Sequence, residues 1–275
     1  MSLVRRHPLA TYFVLAFALA WWTWPFVLIN PESAPMLPWS PIFAAVIVLA
    51  ITEGRAAVMA LLRSTFRWRV KPRWYLMALG IPFALWAVAA AIPTALGALP
   101  DVAYFGDFVL LPITLLTTAI VKGPLTEEPG WRGFALPRML GRWSPLAASL
   151  ILGVIWFAWH LPLLIQDLGG TQRPLVPYVI VVLSLSVICT WLWSATGRSV
   201  FIVIVFHSAV NSIGSHIVPA FASTDQVTIW WIFAALIAVV GGLVASTDAF
   251  RRSSEPLSVT TPAGTTPTRA SPAIG

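Results

Sequence analysis

The chain has 275 residues, 58% of them hydrophobic and only 10% charged. Soluble domains carry about 25% charged residues, so this composition, with a mean hydropathy of +0.83, excludes a soluble globular protein and predicts an integral membrane protein. The net charge of +7 follows membrane topology, as set out below, and no nucleic-acid partner is expected.

In chain order, Arg5-Arg6-His7 precedes an apolar run over residues 9–29, too long for a signal-peptide core and read as a retained span. A Pro-rich turn leads to a second, shorter apolar stretch at 39–52. Residues 53–73 then bring Arg55, Arg63, Arg67, Arg69, Lys71 and Arg73 together with Val58, Leu61, Leu62 and Phe66. That mixture suits an amphipathic helix lying in the interface. Further spans are predicted at 74–99, 108–121, 146–165, 177–195, 199–218 and 229–245. A helix over 127–140 is expected between them, with Thr126 as N-cap and Pro129 in the first turn. The predicted fold is therefore an all-α polytopic membrane helix bundle of about eight transmembrane helices plus one or two interfacial amphipathic helices. It forms a single integral membrane domain over 1–250. The tail, 251–275, is rich in Ser, Thr and Pro and is expected to be a disordered cytoplasmic segment.

Lysine and arginine set the orientation of short-looped membrane proteins. With a cytoplasmic N-terminus and alternation through the spans, every lysine and arginine except Arg173 falls inside, and both termini are cytoplasmic. Glu32, Asp101, Asp107, Asp167 and Asp225 fall outside. The first three spans hold no intramembrane charge, and no inverted repeat of the transporter kind is visible. Cys189, the single cysteine, lies in an apolar span, which excludes an intrachain disulfide and a cysteine metal site.

Ionisable residues near membrane spans are costly and by default functional. Three segments qualify: Glu127-Glu128-Pro129-Gly130-Trp131-Arg132, Trp156-Phe157-Ala158-Trp159-His160 and His207-Ser208-Ala209-Val210-Asn211. Glu128 and Arg132, four apart on a helix, share a face and suit an ion pair. Glu127 lies about 100° round the helix from Glu128 and can face a reaction site. His160 shares a face with Trp156, and His207 with Asn211, whereas His7 and His216 read as structural. Two chemistries fit the set. Glu127, His160 and His207 could bind Zn2+ with water in the fourth position. Alternatively Glu127, assisted by His160, deprotonates a water that attacks a peptide carbonyl, and His207 with Asn211 stabilises the oxyanion. No HExxH pattern, Gly-x-Ser-x-Gly elbow or P-loop is present.

At these residues the chain resembles the CAAX-protease and bacteriocin-processing (abortive-infection) family of intramembrane proteases. The family's EExxxR motif stands here as Glu127 to Arg132, its FxxxH as Trp156 to His160 with tryptophan in place of phenylalanine, and its HxxxN as His207 to Asn211. The resemblance covers about 108–215. It implies a protease core over about 108–218, a cavity open to the cytoplasm and hydrolysis of a peptide bond near a C-terminus. It further implies Glu127 and His160 as water activators, His207 and Asn211 at the oxyanion side, and Glu128 and Arg132 within the catalytic set. Some family members are described as glutamate-dependent, so Zn2+ stays an open expectation. The expected partners are a lipid bilayer and a peptide or membrane-protein substrate, in a bacterial plasma membrane. A non-enzymatic interaction or immunity protein, using the same polar cluster structurally, is the alternative. Hydropathy puts Glu127 near the cytoplasmic edge, so either the glutamate helix dips into the bundle or the spans are strongly tilted if it is to meet the histidines.

Overall fold

In the computed structural model, residues 3–27, 29–30, 33–34, 36–166 and 173–251 are described. Glu32, Asp167 and the predicted tail from residue 252 onward lie outside them. Among the described residues all regular structure is helical. The helices used below are α1 (Pro8–Trp21), α2 (Ser40–Thr52), α3 (Arg55–Thr65), α4 (Pro72–Ala95), α5 (Leu111–Val121), α6 (Pro124–Glu128) and α7 (Leu136–Leu140). They continue with α8 (Pro145–Trp159), α9 (Leu161–Gln166), α10 (Leu175–Ala195), α11 (Val200–Ile217) and α12 (Ser223–Ser246). Proline stands at the first or second position of α1, α2, α4, α5, α6, α7 and α8, where its missing N–H costs no helical hydrogen bond.

Among the described residues six helical stretches are long and apolar enough to cross a membrane: Pro8–Val27, Pro72–Ala95, Ala103–Val121, Leu175–Ala195, Val200–Ala220 and Ser223–Ser246. The expected second and fifth spans are shorter. α2 has 13 residues and α8 has 15, lengths of about 20 and 22 Å at 1.5 Å per residue against a hydrocarbon core of about 30 Å. The predicted span over 146–165 is interrupted at His160, which ends α8 before α9 begins. α3 forms where an amphipathic helix was expected, with Leu61 and Thr65 as its buried positions.

α11 is the central element: 72% of its apolar window is buried, against 6% for Ala103–Val121 at the periphery. Small residues let the helices approach closely. α1 packs against α2, and Ala16 and Ala20 of α1 and Ala44, Ala45 and Val48 of α2 are all fully buried. Between α8 and α10, Ser186 Oγ donates to Ser149 O at 2.7 Å and Ser149 Oγ lies 2.8 Å from Thr190 Oγ1. Trp86 of α4 stacks on Phe233 of α12 at 3.7 Å between centroids and donates its indole N–H to Val210 O of α11 at 2.9 Å.

The bundle has two chemically different ends. One gathers the N-terminus of α1, the C-terminus of α2, α3, α7 and the α10–α11 turn. Arg5 donates to Ile51 O at 3.2 Å, Arg138 pairs with Glu53, and Ser199 Oγ donates to Arg67 O at 2.7 Å. At the other end the Asp101 N–H donates to Ala220 O at 2.7 Å and Phe108 packs against His216 at 5.2 Å. Ser212 Oγ donates to Thr114 O at 3.3 Å, so α5 runs down α11 antiparallel from that second end.

Candidate active site

α5 brings the chain into the bundle and Gly123 turns it. Gly123 has φ 109°, in the left-handed region that side chains with a Cβ avoid. A Cβ there would also strike Glu127 Oε1, at 2.0 Å. Gly123, not Thr126, caps α6, because Pro124 begins the helix. Thr126 Oγ1 instead donates to Pro38 O at 3.1 Å and to Gly123 O at 2.9 Å, tying the segment to the start of α2. The expected continuous helix over 127–140 is also corrected. α6 ends at Glu128, and Pro129–Ala135 winds as a π-helix before α7. π-segments occur mostly as short insertions at functional sites. Gly130 lets this one press against α1 and α2: a Cβ would stand 2.5 Å from Tyr12 Oη and 2.7 Å from the Pro41 backbone carbon. The segment thus dips into the bundle and buries Glu127, Glu128 and Arg132.

The two carboxylates have different surroundings. Glu128 is fully buried, lies 2.9 and 3.2 Å from Arg132 Nη1 through its two oxygens, and meets His207 Nδ1 at 2.8 Å. The ion pair read from the four-residue spacing is present, and His207 of α11 is a second partner that the spacing did not reveal. Arg132 lies over the Trp156 ring at 4.4 Å and is fully buried. Its Nε and Nη2 have no hydrogen-bond partner among the described residues. Glu127, also buried, accepts the Trp156 indole N–H at 2.7 Å through Oε2 and lines a cavity of about 590 Å3.

That cavity brings the predicted residues together. Glu127, His160, His207 and Asn211 all line it, while Glu128 and Arg132 lie behind. Trp156 is their common neighbour: its ring centroid is 5.1 Å from that of His207 and 5.9 Å from that of His160. His160 Nδ1 is 2.9 Å from Trp156 O. A carbonyl oxygen only accepts, so Nδ1 carries the hydrogen and Nε2 of the neutral ring keeps its lone pair. The Glu128 carboxylate likewise fixes a hydrogen on His207 Nδ1. His216 bonds within its own helix, to Ser212 O at 2.8 Å, and stands outside the cavity lining.

Three features escaped the sequence. The Trp-for-Phe departure in the second motif supplies the hydrogen bond to Glu127, which phenylalanine cannot make. Lys122, expected at the cytoplasmic edge, lines the cavity instead, and so does Tyr178 of α10. An indole four residues before a histidine in an apolar helix was the available signal for the first.

Among the described residues no three His, Cys, Asp or Glu side chains are grouped closely enough to hold a metal ion. The Nδ1 positions of both histidines and one oxygen of Glu127 already have protein partners. Metal-ligating histidines commonly donate the other ring N–H to a carbonyl or carboxylate, so these bonds leave Nε2 of His160 and His207 and the second oxygen of Glu127 as the positions a metal would use.

Residues 108–213 match the family described as type II CAAX prenyl endopeptidase Rce1-like. "CAAX prenyl protease 2" of Methanococcus maripaludis is 29% identical over 113 residues, which span 38% of this chain and 40% of that protein. The match thus covers less than half of that relative's length. Residues 108–213, where all three motifs and the cavity-lining carboxylate lie, are thus similar to the Rce1-like family of CAAX endopeptidases.

Proposed function

We propose that the protein is an intramembrane endopeptidase that hydrolyses a peptide bond near the C-terminus of a peptide or membrane-associated protein. Glu127 is the general base. The observation that carries this reading is the division between the two glutamates. Glu128 is paired with Arg132 and hydrogen-bonded to His207, whereas Glu127 accepts one indole N–H and faces the cavity with His160.

A water between Glu127 and Nε2 of His160 gives its proton to the carboxylate, and its oxygen bonds to the peptide carbonyl carbon. The Asn211 side-chain amide donates to the resulting oxyanion, with His207, held through Nδ1 by Glu128, beside it. The C–N bond then breaks as the proton on Glu127 passes to the leaving amine, giving a free carboxylate and a free amine. Trp86, Trp230 and Phe233 form apolar walls for the substrate. Lys122 and Arg173, which also line the cavity, are cations suited to a terminal carboxylate.

The test uses purified wild type, Glu127→Gln and His160→Ala with quenched peptides, a farnesylated CAAX peptide among them, with and without a chelator. Loss of a general base costs about 10²–10⁴-fold, and that loss is expected in Glu127→Gln with the fold retained. Cleavage by Glu127→Gln at the wild-type rate overturns the assignment. Loss of cleavage on chelation assigns a metal to the site. A folded wild type that cuts no peptide favours the non-enzymatic interaction reading.

A further inference from the structure

The cavity lining does not extend to the basic end of the bundle. Its floor is formed by Glu127, His207 of α11 and Leu185 of α10. From His207 its lining follows α11 through Asn211 and Gly214 to Val218 and Pro219, and there it is bordered by Arg173 and Gln226. His207 to Ile217 alone is about 15 Å of helix rise. No residue of α3, α7 or the α10–α11 turn lines it. The short helices explain this geometry. α2 and α8 start or finish at the basic end and reach only partway across. Trp159 at the end of α8 donates to Ser40 Oγ at the start of α2, at 3.2 Å. The space beyond them belongs to the cavity.

Among the described residues the basic end holds Arg5, Arg6, the six bases between 55 and 73, Arg138, Arg142, Arg198 and Arg251. The cavity itself is lined by Lys122 and Arg173, and the end of the bundle that it approaches carries Asp101, Asp107 and Asp225. Charge bias of this kind sets orientation in membrane proteins with short loops. The basic end then faces the cytoplasm, and the mouth of the cavity faces the other way. The cytoplasmic opening that the family resemblance led us to expect and the charge asymmetry of this chain are incompatible. The cavity crosses the bundle on one side of its floor only.

We propose that the cavity opens on the non-cytoplasmic face of the membrane. On the reading of this site as a protease, it therefore takes an extracytoplasmic peptide segment or membrane-protein terminus, not a cytoplasmic prenylated C-terminus. Apolar walls beneath a polar mouth suit a segment emerging from the bilayer on that side. The charge belt thus decides which population of termini the enzyme meets.

Two measurements separate the orientation from the chemistry. Cys189 is fully buried in α10, so the unmodified full chain is the blank for a membrane-impermeant thiol reagent. Thr224→Cys marks the cavity end and Ser246→Cys the basic end, both at exposed helix termini. In intact cells Thr224→Cys is expected to label at least tenfold faster than Ser246→Cys, and permeabilisation is expected to remove the difference. The reverse order, or equal labelling before permeabilisation, overturns the proposal. In sealed vesicles an impermeant quenched peptide is expected to be cut by right-side-out and not by inverted preparations. Cutting by inverted vesicles alone overturns the proposed substrate side. If detergent-opened vesicles also cut nothing, the protease reading fails, while the thiol result still decides the orientation.

Discussion

Glu128→Gln separates the ionic role of Glu128 from its hydrogen bonding. Glutamine keeps an oxygen that can accept the Nδ1–H of His207 but loses the negative charge beside Arg132. In the native protein that guanidinium is fully buried with Glu128 as its ionic partner, and its Nε and Nη2 are already without protein partners. Breaking a buried pair from one side costs about 3–5 kcal/mol, because the remaining charge is left uncompensated. If the soluble-domain scale of roughly 2–4 °C per kcal/mol carries over, the midpoint of unfolding in detergent falls by about 6–20 °C. Tryptophan fluorescence can follow it, since Trp156 lies against Arg132 at 4.4 Å. The double variant Glu128→Leu/Arg132→Met removes both charges, and replacing a buried pair by apolar residues is often neutral or stabilising. It should regain most of the lost stability and remain inactive, because nothing then orients His207. A Glu128→Gln midpoint within about 2 °C of wild type, less than about 1 kcal/mol, would refute the description of this pair as dry and mutually dependent. A double variant no more stable than the single one would do the same.

Trp156→Phe keeps an aromatic ring under Arg132 but deletes the donor to Glu127 Oε2. A hydrogen bond to a charged group contributes about 1.5–3 kcal/mol. If the bond orients the base, kcat should fall roughly tenfold or more with KM little changed, and a purely structural indole would leave kcat alone. Gly130→Ala must push Tyr12 or the Pro41 backbone aside, and overpacking of this kind costs about 1–3 kcal/mol. Its unfolding midpoint should drop even without any contact to substrate, whereas unchanged stability would mean that the π-segment does not lie against α2 as described. Asn211→Ala should lower kcat by about 10²-fold or more if the amide serves the oxyanion, with stability within about 0.5 kcal/mol of wild type. Equal losses in kcat and unfolding midpoint would argue for a packing role.

What the sequence determined was mostly short-range. Hydropathy determined the membrane class, because water excludes long apolar runs whatever their partners. Helical periodicity determined that Glu128 and Arg132 pair and that Glu127 points elsewhere, because four residues make about one turn. The count of lysines and arginines determined the chemical asymmetry of the two ends. Tertiary structure decided the rest. Whether an apolar run of 13 or 15 residues crosses a membrane depends on what lies beyond its end, and here a cavity does. That Gly123 and Gly130 allow residues 124–135 to enter the bundle depends on how closely α1 and α2 approach, which no local pattern records. The bridge from Glu128 to His207 joins residues 79 positions apart, and such a contact exists only once α11 stands at the centre. The same packing gave Trp156 its bond to Glu127 and turned a conservative-looking departure from a motif into a hydrogen bond at the base. It also decided which end of the bundle the cavity meets, since loop charge fixes orientation but carries no information about where side chains leave space.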